Sequence, residues 1–373
     1  MISAGTLVVD GRVCRPGWLQ TSGRQIRDCG AGTPPRTADV DLPDSVVVPG
    51  FIDMHVHGGG GASYTSADGP EIARAAEFHR SHGTTSTLAS LVTAAHAELL
   101  AGVRAVAEAT RRGIVAGMHL EGPWLSPARC GAHDHTLMRD PDPTEIDAVL
   151  ADGGDAIRMV TLAPERSGSE WAIRRFLDAG VVVAVGHTDA TYEQVSHAVE
   201  LGATAGTHLF NAMPPLHHRE PGPALALLQD PRVTVELIAD GVHLHPAVVR
   251  AVIEAAGPDR VALVTDAIAA AGCGDGAFRL GTVPIDVASG VARVHGTSTI
   301  AGSTATMDQL FRTVAEPGSD AALAAAVQMT SATPARALGL DGVGHLRPGC
   351  DANLVVLDRD LRVTAVMVHG EFT

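Results

Sequence analysis

Residues 48–61 read VPGFIDMHVHGGGG, an apolar run that ends in two histidines one residue apart and then in four glycines. Val46, Val47, Val48, Phe51 and Ile52 have the composition of a buried strand, and His55 and His57 fall where that strand should surface. In an extended chain residues i and i+2 point to the same face, so the two imidazoles can converge on one object, such as a metal ion. Taken alone, an HxH pair reads as readily as a hydrogen-bonded polar rim. The surrounding chain has to decide.

Working outward, short β-branched runs recur from about residue 46 to residue 266, each closed by a polar residue and followed by a helical stretch. The strand candidates are VVVPGFIDMHVH, TTSTLAS, IVAGMHLEG, AIRMVTLAPE, VVVAVGHTD, ATAGTHL, VTVELIADG and VALVTDA. Between them, segments such as TYEQVSHAVELG carry apolar residues at helical spacing, here Tyr192, Val195 and Val199, with Gly202 as a cap. Eight β-then-α units predict an α/β fold, a (β/α)8 TIM-like barrel whose functional residues come from the C-terminal strand ends. An open doubly wound sheet is the alternative, but no GxGxxG follows the first strand. Residues 1–45 and 341–373 instead show short strand-like pieces broken by Gly and Pro. They are expected to pair into one small β-sandwich domain, leaving 46–340 as the barrel. Residues 272–300 read as a strand-rich insertion and 304–340 as closing helices.

Composition narrows the function. Aromatic residues are 3% of the chain and the formal charge is −15, which disfavours stacking on nucleic acid and repels polyanions. An anionic ligand therefore needs a local basic site. The five cysteines (Cys14, Cys29, Cys130, Cys273, Cys350) are scattered without a CxxC pair, which points to a reducing cytoplasm rather than a disulfide framework or a zinc ribbon. Neither a membrane span nor a signal peptide is read in the sequence.

The polar residues at the proposed strand ends are His55, His57, Glu121, His187, His208 and Asp266. Imidazole nitrogen and carboxylate oxygen are donors for zinc and related divalent ions. Four histidines and a glutamate are enough to hold two ions with the carboxylate bridging them. Any one of these residues alone is an ordinary strand-end polar group; their joint placement at one end of the barrel is the signal.

The stretches PGFIDMHVHG, HLEGPWLSPARCGAHD, VGHTDATYEQ, GTHLFNAMPPLHHREPG, ADGVHLHP, VTDAIAA and AGST resemble the amidohydrolase superfamily and, within it, the N-acetylglucosamine-6-phosphate deacetylase family. The resemblance runs from about residue 46 to residue 310, and GHLRPGCDANLVVLD matches the family's β-sandwich closure. It implies a metal-dependent removal of acetyl from an amino-sugar phosphate, in amino-sugar catabolism and cell-wall recycling. By position, Glu121, His187 and His208 would be the ligands common to the branch, and His55 and His57 would complete a second site. Two divalent ions follow, zinc first, with iron, manganese or cobalt as alternatives. Asp266 would accept the proton of a metal-activated water and deliver it to the departing amine. His133 would support the oxyanion. His243 and Arg219 would hold phosphate, the arginine reaching in from the neighbouring subunit of a homodimer. Ala132, Asn211, Ala212, Asp240, Ile300, Ala301 and Gly302 complete the implied substrate contacts. Cys130 stands where relatives often carry lysine and is read as inert. His135, His217 and His218 are read as solvated loop residues.

Two rivals stand beside this reading. One is another amidohydrolase, acting on N-acyl amino acids or cyclic amides; the glutamate of HLEGP and the scarcity of lysine argue against its carboxylated-lysine bridge. The other is a non-catalytic sugar-phosphate sensor on the same barrel, which would have lost Asp266.

Overall fold

In a computed structural model, the structure describes residues 1–315 and 318–373. Residues 316 and 317, inside the stretch expected to close the fold with helices, lie outside the described residues. The apolar run 46–52 does not make one strand. It divides at Gly50: Val46 to Pro49 finish the strand Val40–Pro49, and β1, Phe51–Val56, begins a second sheet. Gly50 is obligatory there, because a Cβ would stand 2.1 Å from Thr85 Oγ1.

The second sheet continues through β2 (Thr84–Val92), β3 (Gly117–Glu121), β4 (Ile157–Leu162), β5 (Val182–Val185), β6 (Ala205–Gly206), β7 (Thr234–Leu237) and β8 (Val261–Leu263), in that spatial order. Registers from β2 through β8 are parallel throughout. The ring closes beyond β8, where Asp266 N–H donates to His55 O (2.8 Å) and His57 N–H donates to Ala267 O (2.8 Å). This is an eight-stranded parallel barrel. Its strands are almost entirely buried, which explains their continuous apolar runs in place of alternation. They are also shorter than the sequence runs: β6 stops at Gly206 and β8 at Leu263, so His208 and Asp266 lie past the strand ends.

The helix Tyr192–Leu201 forms as the spacing predicts, with a capping box between Thr191 and Gln194, and Gly202 at its end. Its buried face is Val195, Ala198 and Val199. Tyr192 is only half-buried and bonds Gln229 through its hydroxyl (3.1 Å). Residues Gly276–Leu280, Val283–Ala288 and Val291–Val294 form a three-stranded antiparallel sheet, the expected insertion.

The two chain ends share one mixed sheet. Ile2–Val9 runs parallel to Val40–Pro49, whose last four residues pair antiparallel with Leu354–Leu357. Its core includes Leu7, Leu19, Ile26, Val47, Leu354 and Met367. The chain divides into two compact units, residues 1–53, 78–86 and 306–373 in one and residues 54–77 and 87–305 in the other. Among the described residues no helix is long and apolar enough to cross a membrane.

Candidate active site

The six strand-end residues converge. Glu121, the last residue of β3, points one oxygen at each of two histidine pairs. Its Oε1 lies 3.0 Å from both His187 Nε2 and His208 Nε2, and its Oε2 lies 3.1 Å from His57 Nε2 and 3.4 Å from His55 Nε2. Asp266 Oδ1 is 3.1 Å from His57 Nε2 and 3.4 Å from His55 Nε2. The two imidazoles of each pair approach to 3.2 Å (His55 and His57) and 3.1 Å (His187 and His208) between Nε2 atoms. All six are buried.

Backbone conformation does part of the aiming. His187, His208 and Asp266 all have positive φ (47°, 27° and 47°), a region that costs a non-glycine residue roughly 1–3 kcal/mol. Each lies just past its strand, where the chain turns out of the ladder and carries the side chain over the barrel mouth. Gly302 supports one of them: at φ 55° it packs so close that a Cβ would sit 2.7 Å from Asp266 O.

The imidazole tautomers follow from their outer partners. His55 Nδ1 is 2.9 Å from Glu236 Oε2, His57 Nδ1 is 3.2 Å from Ser90 O, and His187 Nδ1 is 2.8 Å from Arg129 O. Carboxylate and carbonyl oxygens only accept, so these Nδ1 atoms carry hydrogen and the Nε2 atoms of the neutral rings present lone pairs. Lone pairs and carboxylate oxygens thus face one another at 3.0–3.4 Å, an arrangement that requires positive charge. Without a metal, protons supply it. Burial disfavours a charged His55, yet Glu121, Glu236 and Asp266 raise its pKa well above the ordinary value, and against the same burial Asp266 and Glu121 raise His57 to about 9. A tetrahedral ion with bonds of about 2.0–2.1 Å separates its ligand atoms by about 3.3–3.4 Å, close to the spacing seen here. The donor set fits divalent metal. Two groups among the described residues bring their donor atoms within 4.8 Å of one another, His55, His57, Glu121 and Asp266 in one and Glu121, His133 and His187 in the other.

His133 joins the second group by distance but differs in tautomer. Its Nδ1 accepts the Thr93 N–H (3.2 Å), so in the neutral ring Nε2 carries the hydrogen, 3.1 Å from Glu121 Oε2. Burial, opposed by Glu121, lowers its pKa to about 4. A neutral ring with an N–H directed into the site is a hydrogen-bond donor, not a ligand.

All of these residues but His55 open onto a cavity of about 430 Å³, also lined by Cys130, Ala132, Asn211, Ala212, His243, Ile300 and Gly302. His243 N–H and Nδ1–H both donate to Asp240, which orients the ring without itself lining the cavity. Burial pushes the Asp240 carboxyl up, and the His243 and Val242 donors more than offset it. Ala301 is buried in an apolar cluster with Ala132. Arg219 is not brought to the site: it sits on an exposed loop and meets the neighbouring His218 ring (2.7 Å). His135, His217 and His218 are exposed, as expected.

Sequence reasoning passed over four residues. Glu236 announces itself as the lone acid in the apolar VTVELI. Arg129 lines the cavity, pairs with Asp189 (2.8 Å) and anchors His187 through its carbonyl; its signal was a basic residue in the loop after Glu121. Ser90 and Thr93 act through groups that no sequence pattern marks.

Comparison with known proteins gives the family. The model of the amidohydrolase family matches residues 46–373. The N-acetylglucosamine-6-phosphate deacetylase of Bos taurus is 36% identical over 380 residues, spanning 97% of this chain and 89% of the relative. The N-acetylgalactosamine-6-phosphate deacetylase of Escherichia coli O157:H7 is 37% identical over 363 residues, spanning 95% of each. Among solved structures, a mutant N-acetyl-D-glucosamine-6-phosphate deacetylase from Mycobacterium smegmatis, in complex with N-acetyl-D-glucosamine-6-phosphate, matches with a TM-score of 0.98 and 54% identity, covering 100% of this chain and 98% of that one. The chain therefore belongs to the amidohydrolase family, among its deacetylases of N-acetylated amino-sugar phosphates.

Proposed function

We propose that this enzyme hydrolyses the acetamide of N-acetylglucosamine 6-phosphate, giving glucosamine 6-phosphate and acetate. The observation that carries the reading is the convergence of four imidazole Nε2 atoms, Glu121 and Asp266 beneath a cavity of sugar-phosphate size. His55 and His57 with Asp266 would hold one ion, His187 and His208 the other, and Glu121 would bridge them. Divalent ions held there, zinc before iron, manganese or cobalt, would lower the pKa of water from about 15.7 to about 7 and polarise the amide carbonyl.

The protein's own groups do the rest. Asp266 takes the proton of the attacking water and returns it to the amine nitrogen as the C–N bond breaks. The His133 Nε2–H donates to the oxygen on which negative charge develops. Asp240 accepts from His243 Nδ1–H and orients the ring, which would meet the phosphate by donating from Nε2 as well, both nitrogens then carrying hydrogen. Ala132, Asn211, Ala212, Ile300, Ala301 and Gly302 shape the sugar site around them. Arg219 completes the phosphate site of a second copy in a homodimer; it lies outside its own cavity, and the exposed Leu216 beside it and Val242 beside His243 offer apolar surface for that copy to cover. Its planar fork suits phosphate. We assign residues 46–340 to the hydrolytic barrel and residues 1–45 with 341–373 to the terminal β-domain, except that Val46–Pro49 finish a strand of the terminal sheet, and place the enzyme in the cytoplasm, in keeping with five free thiols.

The test is a steady-state assay of enzyme with defined metal content on N-acetylglucosamine 6-phosphate, its unphosphorylated form and its C4 epimer. A kcat/KM roughly 100-fold higher with phosphate than without is expected, from loss of two charge-assisted hydrogen bonds. Equal efficiency on the first two substrates would remove the phosphate argument, and preference for the epimer would move the substrate to the galactosamine series.

A further inference from the structure

Glu236 lies on β7, fully buried, in a stretch whose Val233, Val235, Leu237 and Ile238 are buried as well. Burying a carboxylate costs several kcal/mol unless partners compensate. Here compensation is partial. Oε2 receives the His55 Nδ1–H (2.9 Å) and the His208 backbone N–H (3.1 Å), while Oε1 has no partner among the described residues. Its one well-used oxygen bonds the ring of one metal-site histidine and the backbone of another.

The three anchored imidazoles are not equivalent. Ser90 and Arg129 hold His57 and His187 through neutral carbonyls, whereas His55 is held by a carboxylate. A carboxylate behind an imidazole fixes the ring and makes its far nitrogen a stronger donor, and loss of such a partner typically costs 10–100-fold in metal affinity. The His208 N–H limits Glu236 further, because it demands an acceptor at the same oxygen and so holds that oxygen where His55 needs it. His208 Nδ1, in contrast, has no partner among the described residues. The outer support of the centre is therefore strongest on the HxH side.

We propose that Glu236 is a positioning residue that sets the affinity of the His55–His57 side for its ion. It acts through the accepted hydrogen bond from His55 Nδ1, and the side held by His187 and His208 depends on it much less. The inference rests on the two-ion reading above.

The test is a titration of the metal-stripped full chain with Zn²⁺ against a competing chelator, counting equivalents for wild type, H55A, E236A and E236Q, alongside the thermal midpoint of each metal-stripped protein. Wild type should take two equivalents. E236A should weaken the same equivalent that H55A removes, by 10–100-fold, and leave the other within about threefold. E236Q keeps an oxygen for both donors and should bind two equivalents, the weaker by no more than about tenfold. A wild type that takes one equivalent overturns the two-ion reading itself. A wild type that takes two, with E236A also taking two at unchanged affinities, overturns the role of Glu236 and leaves the two-ion reading standing. If E236A does not fold, E236Q decides: loss of both equivalents together, with a lowered midpoint, marks Glu236 as structural and overturns the proposal, and selective weakening of one equivalent supports it.

Discussion

The barrel end of the site and its proposed phosphate end are built in opposite ways. At the barrel end, every donor is buried, sits on or just past a strand and has its geometry set from within the chain, as in the Nδ1 bonds of His55, His57 and His187. At the outer end, His243 leans on Asp240, and Arg219 rides an exposed loop that touches only its own neighbours among the contacts seen. The difference separates two tasks. Bond cleavage needs rigid charges in a site shielded from water, and a single polypeptide supplies them. On the proposed reading, grip on the phosphate would be incomplete in one copy, and recognition would depend on assembly.

The contrast is exposed to experiment at several points. The largest effect belongs to the barrel end: D266N, compared at metal content matched to wild type, should lower kcat roughly 10³-fold with KM little changed, because proton transfer is lost. Wild-type acetate release by that variant would break the assignment of chemistry to this end. Next, R219A should lower kcat/KM for the phosphorylated substrate roughly 100-fold and leave the unphosphorylated sugar unaffected. Mixing R219A with D266N and allowing subunits to exchange should restore activity, since one mixed site then carries a native Asp266 and a native Arg219; no recovery would place Arg219 in its own subunit's site. A smaller change is expected from D240N, which removes the acceptor that orients His243: KM for the phosphorylated substrate should rise about tenfold with kcat held, by initial-rate kinetics.

The smallest effect lies away from both ends. Burial raises the Asp308 carboxyl, but His82, Thr306 and Arg312 overcome it and hold its pKa at about 2. A folded-state pKa below the unfolded one gives stability that is present above about pH 4 and is lost as pH falls through about 2. D308N should therefore unfold about 2 kcal/mol more easily than wild type at pH 7, in urea melts, with the gap closing toward pH 2 and activity at 25 °C unchanged.

Much of this was legible in the chain. The barrel and the six converging residues followed from a repeated local pattern, and strand alternation alone brings His55 and His57 to one face. The split at Gly50 was not legible, because Val46–Val48 and Phe51–Ile52 are equally apolar and what parts them is the approach of Thr85. The shortness of β6 and β8 was hidden for a related reason: positive φ at His208 and Asp266 leaves no mark in a sequence without glycine at those positions. Glu236 was visible as a misfit acid, but its meaning required knowing that it meets His55, 181 residues earlier. A role for Arg219 across a subunit interface came from resemblance alone, since its exposed loop carries no local pattern that marks one.

The division at Gly50 also has a bearing on how the polypeptide matures. Val46–Pro49 pairs on one side with the N-terminal strand, made early, and on the other with Leu354–Leu357, about 300 residues downstream. At ribosomal rates of about 5–20 residues per second, that flank waits on the order of tens of seconds for its mate. Throughout that interval a row of unsatisfied amides and carbonyls stands ready to recruit a stranger. Nascent chains crowded on one message, or shortened before Leu354, are thereby exposed to clumping that has nothing to do with the catalytic centre.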